Sequence, residues 1–175
     1  MKKIMFSDAF CLTQAVLDGS KTMTRRLLKD NVPLGNWEET KKHLPYKVGE
    51  VVAIAQRYKE VYPNADFEMI GDGFMTESAG WANKMFVKAE LMPHHIRITD
   101  VKIERLRDIS EEDALREGVW QMGELFYVSK AVGEAPEVAF PTAREAFWFL
   151  IDKISGKGTW ENNPFVVAYS FELVD

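Results

Sequence analysis

The closing segment Phe165 to Val174 restricts the fold more than any other part of the chain. Val167, Tyr169, Phe171 and Leu173 recur at every second position. Only an extended strand sends such a set to one side, and a strand needs partners for its backbone N–H and C=O groups. The partners must come from far along the chain. Residues 4–6 form a short apolar strand candidate. Val51 to Ala55 is a nearly continuous apolar run after the turn Lys47-Val48-Gly49-Glu50. Phe86 to Met92 reads as a further strand stopped by Pro93. His95 to Leu106 is a longer one, with Ile96 and Ile98 on one phase and Val101 and Ile103 on the other. The slip at Thr99-Asp100 suggests a bulge, which re-aims a strand.

Three short helices separate these strands. Ser7 or Asp8 is placed to cap the first, Phe10, Leu12, Ala15, Val16 and Leu17 give it a buried stripe, and Gly19 ends it. Ser110-Glu111-Glu112-Asp113 has the form of a capping box and starts a second helix that Gly118 ends. Thr142 and Glu145 open a third, whose Phe147, Leu150, Ile151 and Ile154 follow i, i+3, i+4, i+7 spacing. Residues 27–47, with Pro33, Gly35 and Pro45, read as an ordered loop, and 58–84 and 120–140 as loop excursions. Non-adjacent strands with short helices between them make an α+β protein, and a small β-barrel with helices at its rim fits that pattern. The 175 residues suit one domain, at roughly 100–200 residues per domain.

Net charge is −5, so bulk electrostatics does not favour nucleic acid. Clustering does so locally: Lys2, Lys3, Lys21, Arg25, Arg26 and Lys29 crowd the first 29 residues against Asp8 and Asp18. A single cysteine, Cys11, excludes an intrachain disulfide and suits a reducing compartment. The opening M-K-K-I-M-F is cut short as a leader by Ser7 and Asp8, and no apolar run approaches the ~20 residues of a membrane span, so a cytoplasmic protein is expected. His94 and His95 are adjacent on a strand and point to opposite faces, and no Cys/His metal spacing occurs. Phosphate-loop, dinucleotide and serine-hydrolase motifs are also missing, so neither a metal nor a cofactor is expected.

The reactive groups concentrate in Asp18 to Arg26, D-G-S-K-T-M-T-R-R, just past the end of the first helix. A helix C-terminus disfavours anions, so an anion here must be held by side chains. A threonine hydroxyl becomes a nucleophile when a base takes its proton, and a lysine whose pKa is lowered by burial is such a base. Lys21 and Thr24 are close enough in sequence to meet, and a carboxylate would be needed to orient the amine or pass on the proton. From composition alone, a basic loop with solvated side chains is the better reading of the same residues.

Gly19-Ser20-Lys21-Thr22-Met23-Thr24-Arg25-Arg26 resembles the G-x-K-x-x-E-x-R signature of the activating signal cointegrator homology (ASCH) domain. Tyr46-Lys47-Val48-Gly49-Glu50 resembles that family's turn before a barrel strand, Ile98 to Val119 its strand-then-helix segment, and Gly156 to Val167 its last loop and strand. The resemblance implies a PUA-like β-barrel with a cleft floored by the G-x-K motif, binding RNA or a modified nucleoside. The smallest bacterial members are amidohydrolases that remove the acetyl group of N4-acetylcytidine, and they carry threonine where most of the family has glutamate, as this chain does at Thr24. By motif, Lys21, Thr24 and Glu117 match their catalytic lysine, threonine and glutamate. Gly19, Ser20, Thr22, Arg25 and Arg26 then belong to the ligand-binding motif, and Trp160 is placed to stack a base or to anchor its loop. Two departures stand out. The charged W-V-R-E of many bacterial members is Ala53-Ile54-Ala55-Gln56 here, and the excursions 58–84 and 120–140 are extra. The rival to hydrolysis is a non-catalytic RNA-binding module.

Overall fold

The computed structural model describes residues 1–129 and 138–175. It is a mixed α+β structure whose main sheet has the strand order β1-β3-β6-β9-β2, where β1 is Lys3–Ile4, β2 Met23–Leu27, β3 Val51–Ile54, β6 His95–Arg105 and β9 Phe165–Leu173. β1 runs parallel to β3, while the pairs β3–β6 and β2–β9 are antiparallel. No pairing joins β1 to β2 among the described residues, so the expected closed barrel is not seen.

The chain divides into two compact units. The first is residues 1–6, 51–97 and 173–175; the second is 7–50 and 98–172. In the first, Tyr58, Ala65, Met75, Val87 and Met92 gather into a core around Ala53 and Ala55. Residues 58–84 contain a helix, α3 (Tyr58–Val61), and a hairpin of β4 (Met69–Ile70) and β5 (Gly73–Phe74). The strand expected over 86–92 is instead two short 3-10 turns, Lys84–Phe86 and Ala89–Leu91. Asn83 caps the first of these through the Met85 amide.

In the second unit, α1 (Leu12–Leu17) has Cys11 at its N-cap in a left-handed conformation, φ 56°, with no side-chain cap. Neither Ser7 nor Asp8 caps it; Asp8 accepts a bond from the Thr13 hydroxyl at 2.7 Å. Residues 27–47 are not all loop, because Asn36 caps a helix, α2 (Trp37–Lys42). Ser110 caps α4 (Glu111–Arg116) through the Asp113 amide at 3.0 Å. β7 (Trp120–Met122) and β8 (Leu125–Tyr127) form a hairpin, and the rest of the 120–140 excursion lies partly outside the described residues. Thr142 caps α5 (Ala143–Ser155), which buries Phe147, Leu150 and Ile151 but leaves Ile154 45% exposed at its last turn.

β9 differs from its one-sided reading. Val166, Ala168 and Ser170 are buried as fully as Val167, Tyr169 and Phe171, while Leu173 is exposed. A strand with neighbours on both edges and cover on both faces need not alternate. In β6 the buried positions are Ile96, Ile98 and then Val101, which is the phase slip expected at Thr99-Asp100.

Candidate functional site

The site is built at the start of β2, in the second unit. Gly19 takes the left-handed φ of 83° just past α1 and turns the chain toward the strand. Ser20 stays local, its hydroxyl donating to Asp18 Oδ1 at 2.6 Å. Thr22 ties the turn to α4: its amide donates to the Arg116 carbonyl, and its hydroxyl accepts from Arg116 Nε at 3.0 Å. Lys21 and Glu117 thereby meet although they are 96 positions apart.

Lys21 is 2% exposed. Its ammonium donates to the Met23 carbonyl at 2.6 Å, the Glu117 carbonyl at 2.8 Å and Glu117 Oε2 at 3.0 Å. Burial pushes its pKa below the ordinary lysine value, and the neighbouring Arg26 and Arg25 charges push the same way. Glu117 opposes them without reversing the shift. Gly118, at φ 113°, follows immediately. A Cβ there would lie 2.8 Å from Leu12 Cδ2, so only glycine lets the chain leave α4 this close to α1.

β2 then sends its side chains to alternate faces. Arg25 stands opposite Ala168 of β9, whose small side chain leaves room for a guanidinium, and Thr24 stands opposite Tyr169. The Arg25 side chain is wholly enclosed and meets three carboxylates: Glu104 Oε1 at 2.6 Å, Asp113 Oδ2 at 3.1 Å and Glu117 Oε1 at 3.1 Å. Burial alone would lower its pKa, but Glu117 and Glu104 outweigh burial and the net shift is upward. Four of its five N–H donors are thus directed at carboxylates of its own chain, where the motif resemblance had placed Arg25 among the ligand-binding residues.

Thr24 is buried, and its hydroxyl accepts from Arg26 Nε at 3.3 Å. Among the described residues Arg26 holds that hydroxyl, where a base–nucleophile pair would have Lys21 hold it. Arg26 borders a cavity of about 290 Å³ walled by Leu28, Lys29, His43, Leu44 and Tyr169. The Tyr169 ring meets Tyr46 edge to face at 5.4 Å. Its buried hydroxyl has no hydrogen-bond partner of ordinary geometry among the described residues, and burial pushes its pKa up to about 12.

Trp160 lies in α6 (Thr159–Asn162) and is 7% exposed. It stacks on Trp148 at 5.9 Å and packs edge-on against Phe147. Trp160 thus packs on α5, and it borders a different cavity, with Arg107, Glu111 and Arg144. A larger cavity of about 590 Å³ lies along α5 beside Phe140 and Phe149, but it lacks the buried polar groups found beside Arg26. Among the described residues no group of three His, Cys, Asp or Glu side chains is placed to hold a metal ion, and no helix is long and apolar enough to cross a membrane.

The sequence reading missed Glu104, Asp113, Tyr46 and Tyr169. Asp113 was legible only as part of an acidic run at a helix start, whereas its carboxylate reaches across to Arg25 and Lys102. The two tyrosines were legible only as a turn residue and a strand residue.

No protein-family model matches the sequence. No curated protein matches it either. Similar solved structures include a protein of the DUF984 family from Enterococcus faecalis V583, at 17% identity and a TM-score of 0.44, covering 100% of this chain and 77% of that one. Another is the ASCH domain from Lactobacillus crispatus JV V101, at 17% identity and a TM-score of 0.40, covering 93% of this chain and 69% of that one.

Proposed function

We propose that the chain is a PUA-like protein of the ASCH type that binds a modified nucleoside, alone or within RNA, in the cavity beside Arg26, and hydrolyses an amide such as that of N4-acetylcytidine. The observation that carries the reading is the buried contact of Lys21 with Glu117, at 3.0 Å, three positions before Thr24, which is itself buried. An amine held in a dry site, with its pKa lowered, is the kind of base a threonine nucleophile requires. In this reading Lys21 takes the proton from Thr24 Oγ1, and that oxygen attacks the acetyl carbonyl. The C–N bond breaks as Glu117 relays the proton to the departing amino group, which leaves as cytidine. Water then releases acetate and restores Thr24. Arg26 and the Tyr169 hydroxyl are the polar groups that would orient the ligand, and apolar walls such as Leu28 and Leu44 suit a base.

A second reading, an RNA-binding module without catalysis, is favoured by one feature. The Lys21 ammonium already has three acceptors around it, which suits a charged structural lysine. The two readings part on a direct assay. Incubation with N4-acetylcytidine should yield cytidine by chromatography, and Lys21→Ala and Thr24→Ala should abolish it to similar, non-additive extents. No turnover by the folded wild type, with nucleoside or RNA binding retained, would establish the binding module. Turnover surviving Lys21→Ala would discard this mechanism.

A further inference from the structure

The Glu117 carboxylate has its two oxygens engaged by two different cations. Oε2 faces Lys21 at 3.0 Å and Oε1 faces Arg25 Nη1 at 3.1 Å. Arg25 is fixed in turn from two other directions. Its Nε and Nη2 both donate to Glu104 Oε1 on β6, at 3.1 and 2.6 Å, and Nη2 also reaches Asp113 Oδ2 on α4 at 3.1 Å. The guanidinium is planar and its donors form a rigid fork, so two anchored edges fix the direction of the third.

Resting on the reading above, we infer that Arg25 is the positioning residue of this site: it holds Glu117 Oε1 so that Oε2 alone is presented to the Lys21 amine, with Glu104 and Asp113 holding Arg25 in register. The resemblance assigned Arg25 to ligand binding, and its enclosure assigns it to Glu117 instead. A simple brace between strands would need only one of the three carboxylates. The arrangement here spends the remaining edge of the fork on the one carboxylate that also touches Lys21.

The charge balance at Lys21 follows from the same contacts. Facing it are Glu117 from the end of α4 and Arg25 and Arg26 from β2. Behind Arg25 stand Glu104 and Lys102 from β6 and Asp113 and Arg116 from α4. Removing the Arg25 charge leaves Glu117 to pair with Lys21 alone, which favours the ammonium and keeps the amine from acting as a base until higher pH.

Two measurements on the full-length protein test this, using Arg25→Gln, Arg25→Lys and Glu104→Gln, each checked for folding by circular dichroism. The first is the pH dependence of kcat with N4-acetylcytidine. Arg25→Gln should move the rising limb to higher pH and lower the rate at neutral pH by about tenfold, the equivalent of about one pH unit, with KM little changed. Arg25→Lys, which keeps the charge but loses the fork, should return the limb toward its wild-type position while kcat stays reduced. Glu104→Gln, which loosens Arg25 without removing it, should lower kcat with no upward move of the limb, and it carries the positioning test if the Arg25 variants do not fold. The second measurement is the titration of the Lys21 side chain by carbon-detected NMR, which needs no turnover. Lys21 should titrate at lower pH in the wild type than in Arg25→Gln. Folded variants with wild-type kcat and an unmoved limb would overturn the inference, as would an identical Lys21 titration in wild type and Arg25→Gln. A wild type that produces no cytidine, while its Lys21 titration still responds to Arg25, would sink the hydrolysis reading and keep the positioning one.

Discussion

Tyr169 joins burial to pH at the scale of a single residue. Its phenol is enclosed at the centre of β9, and its pKa is raised from 10.0 to about 12. The unfolded chain therefore gives up this proton before the folded one does. A group raised in the fold contributes stability that is complete below the unfolded pKa and lost as pH climbs through the folded value. Stability should accordingly fall between about pH 10 and about pH 12. The Tyr169→Phe variant should flatten that decline in urea melts, and phenolate absorbance titration should find one tyrosine fewer among the late-ionising groups. An unchanged alkaline decline in the variant would show that another group is responsible. Lys21 is the opposite case. Its pKa is lowered by burial, so the folded state disfavours the ammonium, and its contribution to stability grows as pH rises through the folded value toward the ordinary lysine value.

Among the elements, α5 has the most informative beginning. Thr142 accepts from the Glu145 amide at 3.1 Å, as a capping side chain does. A second cap comes from outside the helix: Glu111 of α4 accepts from the Ala143 amide at 2.8 Å and the Arg144 amide at 3.0 Å. The Arg144 side chain returns to the Ile109 and Arg107 carbonyls. α4 and α5 are thus locked together at their N-termini, and α4 is the helix that ends at Glu117. Thr142→Ala and Glu111→Gln should each cost about 1 kcal/mol in urea denaturation. Because they serve the same helix end, the double variant should depart from the sum of the two. Additive losses would mean that the two caps act independently.

On the scale of the whole molecule, charge decides how nucleic acid would be held. The chain carries a net −5, and its basic cluster is smaller in space than in sequence, because Lys21 and Arg25 are consumed by buried carboxylates. Of that cluster, Arg26 and Lys29 border the cavity. Binding of short single-stranded RNA should therefore show a shallow salt dependence, with a slope of about −0.7 for each phosphate engaged. Arg26→Ala and Lys29→Ala should each reduce the slope, whereas Arg25→Lys should leave it unchanged. A steep slope that survives both alanine variants would locate the RNA on another surface.

The α+β class, the helix starts at Ser110 and Thr142, the glycine endings at Gly19 and Gly118 and the phase slip in β6 were all legible in the sequence, because each depends on a neighbour within one turn or one alternation. The 3-10 turns over 84–91 were not legible, since a short apolar run does not reveal which of its side chains has a core to enter. Nor was the two-sided burial of β9, which depends on what covers each face. At the site, the motif pointed to Lys21 and Thr24 but could not say which charge meets which. Arg25 and Arg26 are adjacent and chemically identical in the sequence. Strand alternation turns one into a cluster of three carboxylates and the other toward a cavity with Tyr169. Local geometry is written in the order of residues, but the pairing of buried charges depends on distance and desolvation between segments as far apart as Lys21 and Glu117, and only the folded chain fixes those.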